Sequence, residues 1–304
     1  MQSTMATPID IKPRGGGNSL GGQIARRAWS SLDFRISLLI FLAVLVLSIV
    51  GPMVMNISPT AFDVRHKFLP PWPLDGSQIN HFFGTDQLGR DLLMRSLVGL
   101  RNALMIGFLS VVGMFWLGCM IGLTAGYFGK WIDLALMRLT DVQMSIPVII
   151  LAIAILGVTR PNAGLIIAVL VLAGWPAYAR VTRSITLAER QKEYVRGAAI
   201  LGASNLRVIL LHIAPNILPP IAFVAVLDVA RMMIFEAIFG FIGIGIQPPT
   251  PTFGNIISDG TQYLLNAWWI TVIPGLFLAI TLASLNLAGS SLERARNKIL
   301  LGLH

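Results

Sequence analysis

Three ionisable side chains, Asp228, Arg231 and Glu236, sit inside one apolar run between Leu218 and Gly245. A charge at the centre of a bilayer costs about 2.5–3.5 kcal/mol, so residues of this kind pair with one another or line a polar path. Asp228 and Arg231 are three apart, share a helix face and can form an ion pair. A structural bridge toward a bundle axis and a lining of a translocation path are equally open readings of that pair. Other chemistry-bearing types are sparse. His66, His81, His212 and His304 lack metal-ligand spacing. The single Cys119 lies in an apolar run, so neither a disulfide framework nor a Cys-based metal site is expected. The sequence holds no Gly-x4-Gly-Lys-Ser/Thr phosphate loop. The chain is therefore expected to be no enzyme and to carry no cofactor, any ATP and Mg chemistry lying on partner chains.

The elements that must position these residues follow from composition. Of 304 residues, 55% are hydrophobic and 12% charged, and mean hydropathy is +0.74. Soluble domains carry about 25% charged residues, so there is too little charge to cover a water-facing surface. The composition excludes a soluble enzyme, disorder and collagen-like repeats, and points to an integral membrane protein. Apolar runs at Ile36–Ile57, Asn102–Ala125, Leu134–Gly157, Leu165–Ala179, Leu218–Gly245 and Trp268–Leu287 predict six transmembrane helices. The runs are continuous rather than alternating, which excludes a barrel. The net charge of +9 comes from bases clustered beside these runs. That is the positive-inside pattern rather than nucleic-acid binding, and it places both termini in the cytoplasm.

The predicted organisation is a flexible N-terminal tail (1–35), a first span (36–57) and an extracytoplasmic segment (58–100). A five-span core (101–290) and a cytoplasmic tail (291–304) follow. Small residues every fourth position, Gly118-Gly122-Gly126 and Gly275-Ala279-Ala283, predict ridges where another helix approaches closely. The core's internal cytoplasmic stretch, 189–216, reads as a helix over Glu189–Leu201, a break at Gly202 and an N-cap at Ser204. A second helix, Asn205–Ile213, is expected to stop at Pro215. Leu206, Ile209, Leu210 and Ile213 give it an apolar stripe. The stripe either rests on lipid or its own bundle, or docks a soluble partner.

This stretch resembles the EAA loop of type I ABC importer permeases. The spacing Ala-Ala-x3-Gly-x9-Ile-x-Leu-Pro is matched by Ala198, Gly202 and Pro215, with Tyr194-Val195 before it and His212-Ile213-Ala214-Pro215-Asn216 at its end. Arg196, Gly197 and Ala214 depart from the family's usual Glu, Ala and Leu. Gly84-Thr85-Asp86-Gln87-Leu88-Gly89-Arg90-Asp91 and the run from Phe241 to Gly254 are similar to two further motifs of the dipeptide, oligopeptide and nickel permease branch. The match is to its shorter ("C"-type) subunit. After Asn286-Leu287-Ala288-Gly289 the chain has Ser290-Ser291-Leu292-Glu293-Arg294 where the branch has Asp-Gly-Leu-Arg-Asp.

The resemblance implies an all-α membrane protein with the type I permease fold in the bacterial inner membrane, forming half of a solute pathway. It implies pairing with a homologous permease subunit, one or two cytoplasmic ATP-binding subunits and an extracytoplasmic solute-binding protein, with membrane lipid around it. Glu193, Tyr194, Ala198, Gly202, Ala203, Ser204, Leu206, Ile209, His212 and Pro215 are the implied ATPase-coupling positions. Di- or oligopeptides are the expected solute, with nickel chelates or sugar- and opine-like solutes as alternatives on the same architecture. A secondary transporter would want ionisable groups across several spans and internal repeats; here the cluster is confined to one span and no repeat is evident.

Overall fold

A computed structural model describes residues 20–55 and 57–300, and among these every extended element is helical. In chain order the helices are α1 (Leu20–Trp29), α2 (Leu32–Val54), α3 (Leu92–Phe128), α4 (Lys130–Met144), α5 (Val148–Leu156) and α6 (Ala163–Arg190). Then come α7 (Glu193–Ile200), α8 (Asn205–Arg207) with a π-helical turn over Val208–Ile213, α9 (Ala214–Phe241), α10 (Phe253–Thr261) and α11 (Trp269–Leu300). Helices α2, α3, α6 and α11 are each long and apolar enough to cross a membrane, and the pair α4/α5, bent by 79°, makes a fifth span if counted as one. Helix α9 has 28 residues but carries Asp228, Arg231 and Glu236 along its length.

Several sequence expectations shift. The first span is α2, beginning at Leu32 rather than Ile36. Of the tail expected to be flexible, residues 1–19 lie outside the described residues, while 20–29 form α1. Helix α1 is amphipathic, and its Ile24 and Ala28 are buried against Ala288 and Ala295 of α11. That burial is what orders it. The segment expected to stay outside the spans through Leu100 ends at Asp91, whose carboxylate accepts from the Met94 N–H at 2.8 Å and caps α3. The expected third span is broken at Ser145-Ile146-Pro147, because the residue before a proline is driven out of the α region. The sixth does not stop at Leu287; α11 runs on to Leu300 through the predicted C-terminal tail.

The core is built on α3 against α6. A Cβ at Gly118 would meet the Trp175 carbonyl oxygen at 2.6 Å, one at Gly122 the Thr182 Cβ at 2.6 Å, and one at Gly126 the Thr186 Cβ at 2.7 Å. The first small-residue ridge is thus satisfied within the chain. The second is not: a Cβ at Gly275 meets nothing within 4 Å. Gly122→Leu is expected to cost about 1–3 kcal/mol through overpacking, read as a lower melting temperature in detergent. Gly275→Leu should leave the melting temperature unchanged.

At the end of the bundle where α2 finishes and α3 begins, the Gly84–Asp91 motif forms a buried ionic knot. Asp86 accepts from the backbone N–H of Leu88 (2.8 Å) and Arg90 (3.0 Å) and from Arg90 Nε (2.6 Å). Arg95 of α3 lies 3.4 Å from the same carboxylate, and Asp259 of α10 lies 3.6 Å from Arg90 and 3.9 Å from Arg95. Both guanidiniums are buried. Trp269 Nε1 donates to the Thr85 carbonyl at 3.2 Å. The motif therefore ties the segment before α3 to α10 and α11.

Candidate coupling knob and intramembrane cluster

At the opposite end of the bundle, α7, α8 and the π turn form a compact knob. Helix α6 runs unbroken to Arg190 and a turn at Gln191-Lys192 intervenes, so α7 starts at Glu193, later than the expected Glu189. Glu193 lies in its first turn and is exposed. Gly202 has φ +82°, a left-handed conformation that favours glycine. It follows the close of α7, where the Leu201 N–H donates to the Gly197 carbonyl and the Ala203 N–H to the Ala198 carbonyl. Ser204 caps the next turn, its Oγ accepting from the Arg207 N–H at 3.4 Å.

The predicted stop at Pro215 does not occur. Backbone torsions stay helical from Arg207 through Ala214, and the chain enters α9 with Pro215 in its first turn. Pro215 donates nothing to the preceding turn, while the Ala214 N–H before it reaches back to the Ile209 carbonyl across the wider π spacing. The wider π turn also divides the predicted apolar stripe. Val208 and Ile213 are fully buried with Val195, Leu123 and Ile217, and Ile209 packs against them together with Ala198 and Ala203. Leu206 is 69% exposed and Leu201 is 89% exposed, with Ile200, Leu210 and Leu211 also standing clear of the chain. The knob therefore has an apolar root and an apolar crown.

Polar contacts pin the root. Tyr127 at the end of α3 donates to Asn205 Oδ1 at 2.9 Å. Tyr194 Oη donates to the Glu189 carboxylate and accepts from Asn216 Nδ2 at 3.1 Å. Desolvation and the bond to Glu189 push the Tyr194 hydroxyl up to about 12, so it stays protonated and donating at neutral pH. The His212 carbonyl accepts from Asn216 Nδ2 at 2.7 Å, and its ring Nδ1 is buried at the same joint. Of the predicted coupling residues, Leu206 lies in the crown. Tyr194, Ala198, Ala203, Ile209 and His212 belong to the root, while Gly202, Ser204 and Pro215 shape the backbone.

Along α9, Asp228 Oδ1 and Arg231 Nη2 are 3.0 Å apart. Tyr178 of α6 donates to Asp228 Oδ2 at 2.6 Å. Sequence reasoning missed Tyr178, since it stands fifty residues away with no local spacing to betray it; its place in the last apolar turns of an amphipathic helix was the available signal. Asp228 is buried whereas the Arg231 side chain is 63% exposed. Beside them lies a cavity of about 200 Å³ lined by Met114, Met144, Leu170, Tyr178, Arg231 and Phe235. Glu236 is not brought to this cavity. It is buried, and neither carboxyl oxygen has a hydrogen-bond partner among the described residues.

The other candidate groups are engaged elsewhere. His66 and His81 do approach each other, with ring centroids 6.0 Å apart, but each Nδ1 is taken by a carboxylate, Asp63 at 2.7 Å and Asp91 at 2.9 Å. No group of three or more His, Cys, Asp or Glu fit to hold a metal ion occurs among the described residues.

A bundle of apolar helices long enough to cross a membrane defines the class, a multi-pass integral membrane protein. Residues 118–298 match the family described as binding-protein-dependent transport system inner membrane component, and the chain belongs to that family. It is 35% identical over 258 residues to the di/tripeptide transport system permease protein DppC of Pseudomonas aeruginosa, covering 85% of each chain. It is 33% identical to the dipeptide transport system permease protein DppC of Haemophilus influenzae, covering 86% of this chain and 88% of that one. A solved structure of the MetNI methionine ABC transporter in an inward-facing conformation shares the fold, with TM-score 0.50 and 21% identity over 70% of this chain and 96% of that one.

Proposed function

We propose that the chain is the permease subunit of an ATP-driven importer of di- or oligopeptides and forms half of the pathway with a homologous subunit. The names of its relatives support the solute class. The observation that carries the coupling role is the crown of Leu201, Leu206 and Leu210, exposed on a root that is buried in the bundle. A contiguous exposed apolar patch of that kind marks an interaction surface, and we assign it to a cytoplasmic ATP-binding subunit. The basic residues around it, Arg190, Lys192, Arg196 and Arg207, support a cytoplasmic placement. Both termini then lie in the cytoplasm, and the Gly84–Asp91 end faces an extracytoplasmic binding protein. ATP and Mg act on the partner chains and this chain catalyses nothing.

In this reading, nucleotide closes the ATPase pair and draws the two knobs together. The cost of the outward-facing state is met by differential binding of the partner. Asp228 and Arg231 lie on the pathway side, where the exposed guanidinium meets passing solute. Leu206→Asp should lower co-purification of the ATP-binding subunits by about tenfold while the chain still inserts. Dipeptide uptake into proteoliposomes with binding protein and ATP should fall in parallel. A chain that transports without bound ATP-binding subunits would point instead to an ion-coupled carrier.

A further inference from the structure

The corner where α1, α2 and α11 meet holds a concave basic cleft that the transport reading does not use. Its volume is about 430 Å³, and it is lined by Arg27, Ser30 and Ser31 from the α1–α2 turn and by Ser291, Arg294 and Lys298 from the end of α11. Three cations face a single carboxylate, Asp33, which sits 3.6 Å from Arg294. Ser291 is buried and its Oγ accepts from Arg294 Nη2 at 3.0 Å, which sets the direction of the guanidinium. Ser31 does not cap α2; its hydroxyl donates to the Ala28 carbonyl instead. The first turn of α2 thus borders the cleft without a side-chain cap, adding the partial positive charge of a helix start.

We infer that this cleft binds the phosphodiester headgroup of an acidic glycerophospholipid. The shared chemistry is a phosphate anion held by arginine, lysine and hydroxyl groups; the surroundings favour a lipid as its source. Trp29, 58% exposed, and Leu32 are exposed apolar neighbours in sequence of the lining residues Ser30, Ser31 and Asp33. The outward apolar face of α2 starts within one turn, at Ile36 and Leu39, so a headgroup in the cleft has its acyl chains beside exposed hydrocarbon. The general excess of bases on one side of the membrane accounts for the number of cations but not for a cleft. Arg26 and Arg35 are exposed on the same elements and lie outside it. A lipid there would add a polar tie to the apolar cluster of Ile24, Ala28, Phe34, Ala288 and Ala295 that packs the three elements at this corner.

The test uses the full chain, purified with its co-expressed partner subunits in mild detergent. Native mass spectrometry counts retained lipid after equal exposure to phosphatidylglycerol and phosphatidylcholine. The expected result is a preference for phosphatidylglycerol of about fivefold or more. It should be lost in the double variant Arg294→Gln, Lys298→Gln, kept in Arg26→Gln and unaffected by millimolar inorganic phosphate. Melting in phosphatidylcholine alone should be the same for all three proteins, which separates loss of the site from loss of the fold. Equal retention of the two lipids overturns the inference, as does an equal loss in Arg26→Gln. Displacement by inorganic phosphate would make the ligand a free anion and overturn the lipid assignment.

Discussion

Gly202→Val should abolish most uptake while leaving the chain inserted in the membrane. The glycine sits at φ +82°, and a Cβ added to it would meet nothing within 4 Å, so a side chain there collides with no neighbour and only the backbone objects. Holding a β-branched residue in the left-handed region costs about 2–3 kcal/mol. That lowers the ratio of the observed knob to alternative conformations by about thirty- to a hundred-and-fifty-fold. Uptake and binding-protein-stimulated ATP hydrolysis, measured together in proteoliposomes, should show hydrolysis persisting at its basal level while uptake is lost. Gly197 supplies the control. It too has open space around it, but its φ is not positive, so Gly197→Ala should cost nothing and firm up α7. A Gly202→Val protein that transports normally would remove the knob from the coupling mechanism.

The second large effect belongs to the other end of the molecule. Asp86→Ala removes the acceptor of three hydrogen bonds. It leaves Arg90 and Arg95 buried with Asp259, at 3.6 and 3.9 Å, as their remaining carboxylate among the described residues. Breaking one partner of a buried ionic group costs about 3–5 kcal/mol, because an uncompensated charge stays behind. The expected readout is a large drop in melting temperature in detergent and weak accumulation in the membrane. Replacing Asp259, a third exposed and more distant from both arginines, should cost distinctly less. The ordering Asp86 above Asp259 tests whether the knot has the centre assigned to it.

Much of this architecture can be read from the amino-acid order, and the places where it cannot have physical causes. The apolar runs find α2, α3, α6 and α11 because a membrane helix leaves a continuous hydropathic trace. The ends of those helices are harder, since polar residues at a bilayer boundary are tolerated in helix and loop alike; thus α11 continues through Ser290–Lys298 and α6 through Arg180–Arg190. Spacing alone found the Asp228–Arg231 pair because its partners share a turn. Tyr178 and the Arg95–Asp259 contact stayed hidden because they join elements far apart in the chain. Gly202 and Ser204 mark the knob by local chemistry. Whether Pro215 would end a helix or begin one depended on the π turn before it, which widens the backbone by one residue and is not encoded in any composition signal.

That turn has a mechanical corollary. With no break at Pro215, helical backbone runs from the knob into α9, and Asp228 lies fourteen residues beyond Ala214, or about 21 Å along the axis, with Pro219 and Pro220 between them. The first place along it that can absorb a push on Leu206 is the Pro219-Pro220 pair, where two backbone hydrogen bonds are missing. Spectroscopic labels at Leu206 and beyond Pro220 should then report separate time constants.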